Sequence, residues 1–109
     1  MTLTEFLTAR LDEDEAVARR AARTAGYDWT YPMPTVLRRK ERSVEEHQER
    51  HDPARVLAEV EAQRTIIKRY RAVVTGARSQ TAIDCYTNVL EDLATVYAEH
   101  PDYDEAWRP

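Results

Sequence analysis

Only two glycines, Gly26 and Gly76, occur in this chain of 109 residues. Tight reversals between strands need residues that tolerate positive φ, and glycine is the chief of them. With so few, and with 5 prolines, the chain keeps long stretches free of breakers. A sandwich of short strands is hard to build from such a sequence. The expected fold is therefore all-α: three long helices plus one short helix, an irregular loop at 26–42 rich in Pro and aromatics, and a docked C-terminal tail. Residues 1–109 have the length of one ordinary domain and are read as a single helical domain.

Local signals place the elements. Thr2 and Glu5 form a capping box, in which each side chain satisfies an amide of the first helical turn. The helix it opens runs from Leu3 to Thr24, with Leu3, Phe6, Leu7, Leu11, Val17, Ala18 and Ala21 on one stripe, and Gly26 ends it. Arg10 and Asp14 stand four apart toward the core side. They read as an ion pair at the rim of the packing face, or as a semi-buried pair that orients another polar group. Pro32 and Pro34 exclude a regular helix across 26–42, and a short strand or hairpin is left open at Thr35–Leu37. Tyr27, Trp29 and Tyr31 alternate with polar residues there, as if laying rings on one face.

Ser43 and Glu46 make a second capping box, opening a short helix that ends by Asp52. Asp52 is then the N-cap of the next helix and Pro53 its first residue, where a missing N–H costs nothing. That helix is expected to reach about Thr75 and stop at Gly76 in a left-handed C′ conformation. Its apolar face carries Val56, Leu57, Val60, Ile67, Tyr70 and Val74, bordered by a basic stripe of Arg64, Lys68 and Arg71. The last helix is expected over Gln80–Glu99, capped by Ser79 or Thr81, with Ala82, Ile83, Tyr86, Val89, Leu90, Leu93, Ala94 and Tyr97 on a broad apolar face. Tyr103 and Trp107 predict that the remaining tail is docked.

Charge narrows the function classes. The net charge is −4, but residues 53–78 sum to +4 and residues 79–109 to −6. A uniformly basic nucleic-acid surface is not supported, and opposite charges on successive segments point to pairing within the fold or across a dimer. The cluster at Arg38, Arg39, Lys40 and Arg42 is diluted by Glu41 and by the acids of 45–49. No window is apolar enough for a membrane span, and no basic leader with an apolar run is visible. A single cysteine, Cys85, fits a reducing compartment, and the chain is expected to be cytoplasmic.

The stretch "HQERHDPARVL", His47 to Leu57, is the one place where chemistry is suggested. His47 and His51 would share a helix face, as histidines do in zinc proteases. Those enzymes place the general-base glutamate directly after the first histidine. Here Gln48 fills that position, and Glu49 is rotated about 100° further around the helix. The protease reading fails on that geometry. A metal site from His47, His51 and His100, with oxygen from Asp52 or Asp102, is kept as an alternative. Two glycines cannot build a glycine-rich phosphate loop, Cys85 reads as a small buried hydrophobe, and "DEDE" at 12–15 reads as a solvated helix face.

Three blocks, "MTLTEFLTARLDEDEAVAR", "HDPARVLAEVEAQR" and "YAEHPDYDEAWRP", together resemble a family of short proteins of unknown function from actinomycetes and their phages. The resemblance covers roughly half the chain, with the blocks in order; 26–45 and 72–85 carry none of its wording. Gln63 departs from it, standing where the family's phrase has lysine. The resemblance implies an accessory protein and supplies no reaction, ligand or partner. Its shared residues suggest one polar cluster closing the bundle: Arg10, Asp14, His51, Asp52, Arg55, His100, Asp102, Tyr103, Trp107 and Arg108. In that arrangement Tyr103 and Trp107 bracket His51, and Arg55 pairs with Asp102.

The function expected from all this is a non-enzymatic interaction protein, phage- or prophage-associated, with an unknown protein partner and no cofactor. A limited core makes a homodimer the expected state. The alternatives are a small metal-binding protein or metal-dependent enzyme using the three histidines, and a nucleic-acid-binding regulator using Arg38, Arg39, Lys40 and Arg42 with the stripe of Arg64, Lys68 and Arg71.

Overall fold

The computed structural model describes residues 1–24, 52–76 and 79–109. The fold is all-α. Helix α1 spans Leu3–Thr24, α2 spans Pro53–Gly76 and α3 spans Gln80–Ala94. Two short 3-10 turns follow, Thr95–Tyr97 and Glu105–Trp107. No strand occurs among the described residues. The short helix expected over 43–52 and the strand or hairpin at 35–37 lie outside them, apart from Asp52.

Each helix starts where its side chains can satisfy the first amides. The Thr2 N–H donates to Glu5 Oε1 at 3.1 Å and the Glu5 N–H donates to Thr2 Oγ1 at 3.2 Å, so the capping box is complete. Asp52 caps α2: its Oδ1 accepts the Arg55 N–H at 2.8 Å, and its carbonyl accepts the Val56 N–H at 3.1 Å. Asp52 is only 5% exposed, so this carboxylate replaces water that the helix end would otherwise need. Ser79 rather than Thr81 caps α3, its Oγ accepting the Ala82 N–H at 3.2 Å.

Two helix ends differ from expectation. Gly76 stays within α2 and keeps a φ outside the left-handed region, so it is not a C′ residue. Helix α3 stops at Ala94 instead of running to Glu99. There the Thr95 Oγ1 donates to the Asp92 carbonyl at 2.6 Å, and the next backbone bonds step back three residues instead of four. A hydroxyl that takes a carbonyl from the ladder favours this tighter winding.

Packing groups the chain into two compact units, Met1–Leu11 with Gln63–Pro109, and Asp12–Ala62. The first unit holds the largest fully buried side chains, Phe6, Leu7, Leu11 and Leu90, together with buried Ile67, Ala94 and Tyr103. Burial of each such large apolar side chain contributes about 1.5–3 kcal/mol. The second unit buries Ala18, Ala22 and Val60 beside the Asp52 cap. Here Val17, at 52% exposure, and Ala21 lie outside the core stripe that periodicity assigned them. The buried line runs instead through Ala18 and Ala22, four apart. Val17 and Ala21 line an open groove of about 310 Å³ with Pro53 and Val56. Val74 of α2 is likewise 40% exposed.

Candidate functional site

In the first unit the tail is clasped by one ring of α1. Phe6, fully buried, meets four rings of the C-terminal segment. Centroid distances are 6.2 Å to Tyr97, 5.8 Å to His100, 6.0 Å to Tyr103 and 5.1 Å to Trp107. The first three meet it edge to face, at interplanar angles of 80°, 70° and 67°. That is the geometry in which the positive edge of one ring meets the negative face of another. Tyr103 and Trp107 also meet at 5.7 Å and 85°. Two guanidinium groups cover the cluster: Arg10 Cζ lies 5.9 Å from the Phe6 centroid, and Arg108 Cζ lies 5.8 Å from that of Tyr103.

The tail reaches Phe6 because its backbone folds on itself. His100 N–H donates to Tyr97 O at 2.9 Å, Tyr103 N–H to His100 O at 3.0 Å, and Trp107 N–H to Asp104 O at 2.9 Å. These successive three-residue steps carry the rings at 97, 100, 103 and 107 to one place. His100 Nδ1 accepts the Asp102 N–H at 3.0 Å, which assigns the ring proton to Nε2. Asp104 Oδ1 accepts the Ala106 N–H at 2.9 Å. Arg108 grips Glu105 with two bonds, Nε to Oε2 at 2.7 Å and Nη2 to Oε1 at 3.1 Å. That hydrogen bonding holds the Glu105 carboxyl below its ordinary value and raises the Arg108 guanidinium above its own. The Tyr103 hydroxyl is buried and makes no hydrogen bond.

Of the ten residues in the expected polar cluster, Arg10, His100, Asp102, Tyr103, Trp107 and Arg108 fall in this first unit. Asp102 takes part through its backbone, and its side chain is exposed. Asp14, Asp52 and Arg55 belong to the second unit. There Arg55 Nε donates to Glu59 Oε1 at 3.1 Å, across one helical turn, and Asp14 lines the open groove. His51 and His47 lie outside the described residues, and so does the basic cluster at 38–42. Of the three histidines of the metal alternative only His100 is described. Among the described residues no three His, Cys, Asp or Glu come together to hold a metal ion. Arg64 is half-buried, whereas Lys68 and Arg71 are exposed on α2. Cys85, expected to be buried, is exposed; it sits about 140° around α3 from buried Leu90, at the edge of the apolar face.

Two residues of the clasp were absent from the expected cluster: Phe6, its hub, and Tyr97. The signal was present as rings recurring every three or four residues from Tyr97 to Trp107.

Fold and site define a small all-α protein whose C-terminal segment is locked onto its first helix by aromatic packing. The chain belongs to DUF6221, a family of unknown function, whose model matches residues 1–109. Neither the curated proteins nor the solved structures gave a match. No helix among the described residues is long and apolar enough to cross a membrane.

Proposed function

We propose that this chain is a non-enzymatic interaction protein that acts by presenting a helical surface to another protein, as an accessory of a phage or prophage. The observation that carries this reading is how the clasp uses its groups. His100 Nδ1 is engaged with the Asp102 amide. The Asp104 carboxylate caps a turn and that of Glu105 holds Arg108. Aromatic rings that could stack on a ligand stack on Phe6 instead. Within the clasp, the side chains best suited to chemistry thus hold the fold, and the described surface of α2 and α3 is left to make contacts. Capture on immobilised protein from a phage-infected host, followed by reconstitution with the purified candidate, tests the reading. A stoichiometric complex that is lost on Val89→Glu supports it. A purified chain that binds no host or phage protein overturns it.

A nucleic-acid-binding regulator is the competing reading. It is favoured by Lys68, Arg69 and Arg71, which are exposed and make no ion pair within the described structure. It requires a mobility shift at low salt that weakens steeply as salt rises.

A further inference from the structure

The C-terminal half of α2 carries charge that its own helix does not answer. From Gln63 to Gly76 it holds Arg64, Lys68, Arg69 and Arg71 and no acid. No acid stands three or four residues from Lys68, Arg69 or Arg71, so none has a partner on neighbouring turns. Lys68 and Arg71 stand at that spacing as like charges, an unfavourable arrangement in a helix. Elsewhere Arg19, Arg55 and Arg108 each pair with a glutamate one turn away. Among the described residues, Lys68, Arg69 and Arg71 make no ion pair, and all three are exposed.

Apolar surface borders these cations. Ile67 and Val74, seven residues apart, lie on one line of α2, yet Ile67 is 3% exposed and Val74 40%. The line that is core at Ile67 therefore surfaces two turns later. Arg71 stands about 60° around the helix from Val74, and Lys68 about 60° further in the same sense. Valine, arginine and lysine thus form one continuous strip, with half-buried Tyr70 along its apolar edge and Arg69 beyond its cationic edge.

What complements such a strip is a segment with an apolar side chain beside carboxylates. Nucleic acid complements it less well. Three cations fall short of the roughly 6–10 phosphate contacts that make DNA binding strong. The compact unit that holds this half of α2 also holds residues 79–109, which sum to −6. That field opposes an extended polyanion more than a short acidic segment. We propose that the C-terminal half of α2 docks an acidic amphipathic segment of another protein. Its carboxylates meet Lys68 and Arg71, with Arg69 at the rim, and its apolar side chain meets Val74. The proposal rests on the reading of the chain as an interaction protein, and it names the partner's chemistry and where it binds.

Fluorescence anisotropy on the full chain tests it, with a labelled synthetic peptide of repeating Glu-Leu-Glu-Glu as the probe. The comparators are the same peptide with lysine for glutamate, and a short DNA duplex. The acidic peptide is expected to bind at low salt and to weaken as salt rises; the lysine peptide is expected not to bind. Lys68→Glu with Arg71→Glu should weaken binding by about tenfold or more. Val74→Asn, which changes no charge, should weaken it by about threefold or more. The same charge change on α1, Arg19→Glu with Arg23→Glu, should leave it unaltered. Absence of peptide binding at low salt overturns the proposal, as does binding indifferent to Lys68 and Arg71. A duplex bound more tightly than the peptide, through the same residues, overturns it in favour of nucleic acid. A host or phage protein captured equally by wild type and by the Lys68→Glu, Arg71→Glu variant refutes only this docking surface. A chain that binds the peptide as expected yet captures no such protein refutes only the wider reading.

Discussion

Trp107 rests on Phe6 with ring centroids 5.1 Å apart, so the last turn of the chain is held by the first turns of its first helix. Met1–Leu11 and the tail share one compact unit for this reason. The clasp makes the tail part of the core although most of its residues are polar and exposed.

Removing the hub should therefore release more than one contact. Phe6→Ala is expected to cost about 3–5 kcal/mol, as large-to-small changes of a buried aromatic do. Denaturant unfolding measures it. A loss under about 1 kcal/mol would mean that the four rings pack without Phe6, against the geometry described.

Deleting the segment from Asp102 onward takes Tyr103 and Trp107 out of the clasp together. Several kcal/mol of stability should go with them, through lost aromatic burial. An unchanged melting temperature in the truncated chain would show that the tail is an appendage.

Tyr103 predicts an effect of opposite sign. Its hydroxyl is buried without a hydrogen bond, and an unsatisfied buried polar group costs roughly 1–3 kcal/mol. Tyr103→Phe keeps the ring on Phe6 and removes that cost, so thermal stability should hold or rise. A clear drop in melting temperature would show that the hydroxyl is satisfied in solution.

The Asp52 cap predicts a modest local effect. Asp52→Ala removes the acceptor of the Arg55 amide and should cost about 1 kcal/mol, while Asp52→Asn should retain most of it. Hydrogen exchange at the first amides of α2 would locate the change. Equal protection in the alanine variant would contradict the 2.8 Å bond.

Acid should loosen both ends of the first unit. Hydrogen bonds from the Thr2 amide and hydroxyl hold the Glu5 carboxyl below its ordinary 4.5, and Arg108 does the same for Glu105. A lowered folded value means stabilisation that is present above the unfolded value and lost as pH falls through the folded one. Stability should thus decline below about pH 4.5, and Glu5→Gln, which keeps a capping amide, should flatten part of that decline. A melting temperature flat from neutral pH to about pH 3 would remove both carboxyls from the account.

Much of the fold was legible locally. Helix starts were readable because a cap and the amide it satisfies lie within three residues of each other, as for Thr2 with Glu5 and Asp52 with Arg55. Helix ends were less so. Gly76 could have stopped α2 and did not, since glycine permits a left-handed turn without requiring one. Thr95 tightened α3 through a side-chain bond that periodicity does not register.

By itself the sequence determined that the fold is all-α, where each described helix begins and that the tail docks. Those follow from glycine scarcity, capping chemistry and rings spaced for a folded segment. Only the tertiary structure decided that Phe6 receives the tail and that Val17 and Cys85 face outward. A helical period says which side of a helix is apolar. What covers that side, and how much of it, depends on elements distant in the chain, and that is settled only when they pack.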